Sequence, residues 1–381
     1  MKKLLAFILV SIILILGGCT NKETDWETLN FYDAFGGIGV NVTIIAEKSR
    51  IKNEMESTWN DINTILIDFD NIFSINHNEN QVETVIQKVN RNAGIAPVVV
   101  PEEVIYVLEK AIEVSALSKD ENDVAQYDIT IAPVWEEWDF IRYMAYPYDA
   151  KLPDPIKLNE LVKLVDYRKI KIDKEASTVY LEQEGMGIDL GSIAKGYAAD
   201  KLRDYLLSKN FTRALINVGG NLITMGESYL FEEKKDIPWK IMITTPYVSP
   251  YTEAVKDTYY IGSFDDTDVT TVTSGVYERY ITVDEVEYHH ILDPGTGYPR
   301  ESNLLSISII TENSMTADAF STTVFSLGLD KGLRLVENTP GMDAIAITVD
   351  KEIYVTTGLE NNFDFNENVE EIGYVYKGVY R

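Results

Sequence analysis

Asp318, Ser321 and Thr322 stand at i, i+3 and i+4, a spacing that puts three oxygen-bearing side chains on one face of a helix. A carboxylate and hydroxyls, helped by backbone oxygens, suit Mg2+, which takes few protein ligands and completes its shell with water and substrate phosphates. Upstream, the run from His289 to Pro299 holds two of the chain's three histidines. Its turn, Asp293-Pro294-Gly295-Thr296-Gly297, would bring His290 and Asp293 toward one point. A third stretch, Gly187 to Asp200, reads as a strand ending at Asp189, then a glycine-containing turn that opens a helix with Lys195 in its first turn. Free N–H groups at a helix start suit phosphate, and Lys195 adds a formal charge. Together these residues describe a phosphate-handling pocket. A plainer reading stays open, with Ser321 and Thr322 bonded back to their own helix, Asp318 a capping or solvated acid and Asp189 only a cap. Ser-His-Asp hydrolysis is the weaker alternative, because no Gly-x-Ser-x-Gly elbow occurs.

Composition narrows the ligand. The 381 residues carry a net charge of −27, a poor basis for nucleic acid, whose affinity rests on cationic contacts. An anionic substrate would therefore need a locally positive pocket or a metal ion. No Cys/His zinc spacing occurs, so a metal here should be a hard ion held by oxygen. The 45% apolar content provides a core for one large enzyme domain or two lobes.

The N-terminus points to a location. Lys2 and Lys3 precede an apolar run, Leu4 to Leu16, too short to span a bilayer and shaped like a secretory signal. It ends in Leu16-Gly17-Gly18-Cys19, the pattern that lets a peptidase cut before a cysteine that then carries lipid. Cys19 is the only cysteine, which rules out a disulfide within the chain. Residues 1–18 are thus expected to be a lipoprotein signal peptide, 19–28 a tether and 29–381 the catalytic domain.

Elements follow from periodicity and punctuation. Phe31 to Ile45 reads as a glycine turn entering a strand, and Glu47 to Phe73 as a helix with Ile62, Leu66 and Phe69 on one face. His77, among asparagines, reads as a solvated loop residue. Pro101-Glu102-Glu103 opens a helix. Ala125 to Trp135 contains Gln126-Tyr127-Asp128 and reads either as a second site segment or as a strand with buried aromatics. Ala214 to Leu222 reads as a strand entering a Gly-Gly turn. Gly328 caps a helix that a further helix, Lys331 to Glu337, follows. The acidic stretch Asn361 to Glu371 reads as a loose tail.

Five segments then carry a resemblance. Asp189-Leu190-Gly191-Ser192-Ile193-Ala194-Lys195-Gly196-Tyr197, Asn217-Val218-Gly219-Gly220-Asn221, Thr273-Ser274-Gly275, His290-Ile291-Leu292-Asp293-Pro294-x-Thr296-Gly297 and Ala317-Asp318-Ala319-x-Ser321-Thr322 resemble, in order and spacing, the ApbE-type FAD:protein FMN transferase family. The similarity runs from about Phe31 to the C-terminus, and members are commonly lipoproteins.

The resemblance implies an α+β fold, with mixed or antiparallel sheets and flanking helices in two tightly joined lobes. It implies Mg2+-dependent transfer of the FMN half of FAD to a Thr or Ser hydroxyl of an extracytoplasmic flavoprotein, releasing AMP. Asp318 and Thr322 would bind Mg2+ through their side chains, with the Ser192 carbonyl and Ser321 assisting. Asp189, Lys195 and Leu292 would contact FAD. Gln126, Tyr127 and Asp128 match a flavin-site stretch, and Phe35 and Asn76 match two further FAD-contacting positions. His290 corresponds to the catalytic histidine. Water in place of the protein hydroxyl would give FAD hydrolysis to FMN and AMP, and a binder without turnover would give flavin storage.

Overall fold

Short alternating apolar runs pair into one large sheet. In chain order the strands are β1 (Trp26–Phe35), β2 (Ile38–Glu47), β3 (Ala214–Val218), β4 (Asn221–Met225), β5 (Thr270–Gly275), β6 (Tyr280–Val283), β7 (Val286–His289), β8 (Leu304–Thr311), β9 (Asp343–Thr348), β10 (Glu352–Val355) and β11 (Val375–Val379). The sheet runs β1-β2-β3-β4-β5-β8-β9-β10-β11, antiparallel throughout except for the parallel β10/β11 pair; β6 and β7 form a separate hairpin. The helices that matter for the site are α1 (Lys48–Phe73), α2 (Glu102–Leu117), α3 (Ala132–Trp138), α4 (Ala194–Ser208) and α5 (Ser314–Glu337). The computed structural model describes residues 26–35, 38–76, 82–248 and 257–381. The expected signal segment, Cys19, Gly36, Gly37 and His77 lie outside the described residues.

The middle of the sheet is covered on both faces, and the two-residue period of a strand shows it. Ile307 and Ile309 of β8 and Ala344 and Ala346 of β9 pack in the core beneath α2 and α5. Ile310, Ile345 and Ile347 pack on the opposite face with Ile241, Ile261 and Phe264. Each such Ile contributes on the order of 1.5–3 kcal/mol through burial. At the β1 edge, Val42 and Ile44 meet Ile62 and Leu66 of α1 and Leu202 and Leu206 of α4.

Helices α4 and α5 cross at backbone contact and cap one another. The first N–H groups of a helix have no partner in their own helix. Asp200 of α4 accepts hydrogen bonds from the Ser314 and Met315 N–H groups at 3.0 and 2.9 Å. Asp318 of α5 accepts one from the Gly196 N–H at 2.9 Å. Only glycine permits this approach, because a Cβ at 196 would lie 2.2 Å from the Ser314 carbonyl oxygen.

Several expectations need correcting. Ala125 to Trp135 is not a strand: it is an irregular loop that becomes α3 at Ala132. Pro133, lacking an N–H, sits in the first turn of that helix, where none is needed. Gly187 to Asp189 is not a regular strand: Gly187 makes an isolated bridge with Ile131, the Ile188 backbone bonds the Asn90 side chain, and the Asp189 N–H donates to the Ile129 carbonyl. Asn361 to Glu371 is anchored rather than loose, because Phe363 and Val369 are buried. There the Asn366 amide donates to the Asp257 and Tyr260 carbonyls. The acids in that stretch simply occupy its solvent side. Strand β1 begins at Trp26, so the last three residues assigned to the tether belong to the sheet. Gly328 does break the helical run within α5, with φ 77° and ψ 179°. Replacing Gly196 by Val should cost about 1–3 kcal/mol or more of unfolding free energy by forcing the two helices apart. An unchanged denaturant midpoint would contradict this packing.

Candidate active site

The hairpin β6–β7 decides which histidine faces the site. Tyr280 pairs with His289, and one rung further the His290 N–H donates to the Arg279 carbonyl at 3.0 Å. Cross-strand partners share a face and successive residues alternate. Arg279 and His290 accordingly line one cavity of about 470 Å3. His289 turns the other way, toward a separate cavity of about 180 Å3 beside Arg300 and Phe325, and packs edge-on against the Phe325 ring.

The larger cavity gathers residues from distant parts of the chain. Asn76, Gln126, Tyr127, Asp128, Asp189, Ser192, Lys195, His290, Leu292, Asp318 and Thr322 all line it. Asp318 and Thr322, one helical turn apart on α5, face it together. Ser321 does not: its hydroxyl donates to the Asp318 carbonyl at 2.8 Å and accepts from Ser274 at 2.8 Å. That is the back-bonded helix position of the plainer reading. Phe35 ends β1 opposite Ile38, and its side chain lies outside the described residues. Asp293 serves its own turn, accepting from the Gly295 N–H at 2.7 Å and pairing with Arg300, so it does not join His290 in the cavity.

Asp318 is 2% exposed and is held by two partners on α4. Besides the Gly196 N–H, the Lys195 ammonium lies 3.0 Å from Oδ1 and donates to the Gly191 carbonyl. The Asp318 carboxylate and the Gly191 carbonyl thus already share a cation. Among the described residues no cluster of three or more His, Cys, Asp or Glu occurs, which leaves a corner with one carboxylate, the Thr322 hydroxyl and backbone oxygens. That donor set fits Mg2+ with open positions for substrate phosphate, and does not fit a softer metal.

Elsewhere on the wall, Ser192 donates to the Tyr127 hydroxyl at 3.2 Å. Asp128 is buried and spends both oxygens on the protein, accepting from the Thr130 N–H and hydroxyl and from the Tyr167 N–H at 2.7–2.9 Å. It therefore shapes the Gln126–Asp128 loop. The Asn221 amide oxygen and the Ser326 hydroxyl line the cavity, are buried, and have no hydrogen-bond partner among the described residues. Such orphaned polar atoms fit a ligand that satisfies them.

Electrostatics separates the titratable groups. His290 Nδ1 lies 3.0 Å from the Arg279 carbonyl. An acceptor there fixes the proton on Nδ1 and leaves Nε2 as a free lone pair. Burial, with the Arg279 charge as a second cause, pushes the His290 ring down to about 3, so it is neutral at physiological pH. Glu278 has an exposed surface at the cavity, yet desolvation by the surrounding protein pushes its carboxyl up to about 7 despite Lys195 and Arg279. Asp189 is raised by burial, opposed by its bond from the Gly191 N–H and by the Lys195 charge. Sequence reasoning assigned no role to Asn221, Glu278, Arg279 or Ser326. Ser326 had a signal in its place four residues beyond Thr322; Arg279 had none, because its register with His290 exists only in the folded hairpin.

The model of the ApbE family matches residues 37–346. The chain is 30% identical over 362 residues to the FAD:protein FMN transferase of Treponema pallidum, covering 92% of this chain and 93% of that one. It is 32% identical over 278 residues to an FAD:protein FMN transferase of Klebsiella pneumoniae, covering 73% and 79%. The flavin transferase ApbE from Vibrio cholerae has the same fold, with a TM-score of 0.72 at 21% identity over 88% of this chain and 99% of that one. The ApbE protein of Thermotoga maritima superposes with a TM-score of 0.70 at 26% identity, over 91% and 99%. With the α+β architecture, the cavity and these similarities in agreement, this chain belongs to the ApbE family.

Proposed function

We propose that this chain is an FAD:protein FMN transferase that moves the FMN half of FAD onto a Thr or Ser hydroxyl of a partner flavoprotein, with Mg2+ bound at Asp318 and AMP as the leaving group. One observation carries the reading. A single cavity holds a cation-binding corner of oxygens (Asp318, Thr322) and a neutral imidazole with a free Nε2 (His290). The names of the relatives support the choice of FAD as substrate.

The residues divide the work. His290 Nε2 takes the proton of the incoming hydroxyl as general base, and the Arg279 carbonyl keeps that nitrogen unprotonated beforehand. The hydroxyl oxygen bonds to the FMN-side phosphorus; the bond from that phosphorus to the bridging oxygen breaks, and its electron pair leaves on AMP. Bound Mg2+ would neutralise the diphosphate oxygens and hold the leaving phosphate, with the Asp318 and Thr322 side chains and the Ser192 carbonyl as its ligands. Ser321 supports that corner from behind through the Asp318 carbonyl. Asp189 and Lys195 contact FAD from beside the Asp318 corner, with Lys195 keeping its bond to Asp318, while Leu292, Asn76 and the Gln126–Asp128 loop contact the flavin, with Trp135 and Phe140 in the same wall. Phe35 joins them at the end of β1.

Cys19 is the lipid attachment point in this reading. The segment from Cys19 to β1 tethers the enzyme to the extracytoplasmic face of a membrane, where its acceptor flavoprotein is met. No described helix is long and apolar enough to cross a membrane.

Incubation with FAD, Mg2+ and a flavoprotein acceptor should give covalent fluorescence on the acceptor and AMP in equal amounts, and chelation of Mg2+ should stop both. His290→Asn should lower turnover by about 10²–10⁴-fold, the usual contribution of a general base. Free FMN with AMP and no covalent product would favour hydrolysis, and unchanged FAD would favour storage. The ring itself gives a second check. With a native pKa of about 3 against an ordinary 6.5, His290 stays neutral in the fold at pH 5 while an unfolded chain is charged. Its contribution to stability is thus complete above about pH 6.5 and is lost as pH falls toward 3. An NMR titration of ring carbons, assigned by their loss in His290→Asn, should show no midpoint above pH 5. A midpoint near 6.5 would contradict the neutral base.

A further inference from the structure

Five carboxylates line the large cavity (Asp70, Asp128, Asp189, Glu278 and Asp318) against two permanent cations, Lys195 and Arg279. The balance is wrong for an anionic substrate unless a cation is free to meet it. Lys195 is not free, because its ammonium is shared between Asp318 and the Gly191 carbonyl. Arg279 differs: among the described residues its guanidinium makes no ion pair and no hydrogen bond. In a chain of net charge −27, an arginine that faces a cavity with no acid bonded to its guanidinium among the described residues is an anion-binding group waiting for its ligand.

Its place is specific. Arg279 sits on the same hairpin rung as His290, and its carbonyl accepts both the His290 N–H and Nδ1 at 3.0 Å. Cross-strand partners project to one side, and both side chains line the cavity. The guanidinium charge acts on His290 and also on Glu278 and Asp189. Whatever phosphorus atom the base works on therefore has Arg279 as its neighbour, in the cavity that also holds the Asp318 corner.

We propose that Arg279 is a catalytic residue of the FMN transfer: its guanidinium grips the non-bridging oxygens of the phosphoryl group being transferred, while the Asp318 corner holds the leaving phosphate. This rests on the transferase reading above. A planar fork of N–H donors matches two phosphate oxygens at once. As the new P–O bond forms and the bond to AMP breaks, charge on those oxygens is met by a donor already in place. One backbone rung then positions base and anion clamp together, so that the proton acceptor and the charge acceptor move as a unit.

The test compares ligands that do and do not carry the diphosphate. Calorimetric binding of inorganic pyrophosphate, ADP and riboflavin should be measured for the wild type, Arg279→Gln and Arg279→Lys. In Arg279→Gln the pyrophosphate and ADP dissociation constants should rise about 10- to 100-fold, the contribution of charge-assisted bonds, with riboflavin unchanged. Arg279→Lys, which keeps the charge and loses the fork, should fall between. With FAD and acceptor, Arg279→Gln should also lower kcat by about 10²–10³-fold, as loss of an oxyanion donor does. Equal weakening of riboflavin and pyrophosphate, or no change in either, would overturn the assignment. Should the wild type transfer no flavin at all, the transferase reading fails on its own, whereas the pyrophosphate and riboflavin comparison still decides whether Arg279 binds the diphosphate.

Discussion

The exchange of carboxylates between α4 and α5 is the constraint on which the site depends. Each helix begins with N–H groups that its own turns cannot satisfy, and each supplies an aspartate to the other, Asp200 to the start of α5 and Asp318 to the start of α4. A buried carboxylate is costly unless hydrogen-bonded and paired. Asp318 meets both conditions through the Gly196 N–H and the Lys195 ammonium. The glycine at 196 lets the backbones come close enough for this. A single packing decision thus fixes the position of the acid, the lysine and the helix N-terminus relative to one another, before any ligand arrives.

The wall that carries His290 is set by a different device. A two-stranded hairpin alternates its side chains, so the rung containing Arg279 and His290 faces the cavity and the neighbouring rung, Tyr280 and His289, does not. The same rung supplies the carbonyl that fixes the imidazole tautomer. In the proposed reading, an acidic protein must accommodate an anion between these walls. Lys195 is already committed to Asp318, so under the proposed function the positive charge for a dinucleotide would come from a metal at the Asp318 corner and from Arg279.

Much of this was legible in the chain. The i, i+4 relation of Asp318 and Thr322 survives in α5, the glycine turn before Lys195 does open a helix, and the long apolar stripe through Ile62 and Leu66 does pack α1 onto the sheet. What was not legible depends on partners far away in sequence. That Asp128 also anchors its loop was not legible, because the Tyr167 N–H reaches it from 39 residues on. The acidic stretch near Val369 read as loose because nothing local showed that Asn366 would be held by the carbonyls of Asp257 and Tyr260. Ser321 shared the helical spacing of its neighbours, yet a helix turns i+3 and i+4 to opposite sides of residue i, and Ser274 lies on the side that takes Ser321. Arg279 needed the hairpin register, which composition does not reveal.

The central claim, that Asp318 and Thr322 form the cation corner of the cavity that His290 lines, is tested most directly by anomalous scattering from crystals soaked with Mn2+ and AMP. Mn2+ stands in for Mg2+, whose bonds to oxygen run about 2.0–2.1 Å. The account predicts one anomalous peak at roughly that distance from the Asp318 carboxylate and the Thr322 hydroxyl, with an AMP phosphate oxygen completing the shell. A peak elsewhere in the cavity, or AMP bound with no metal at that corner, would contradict it.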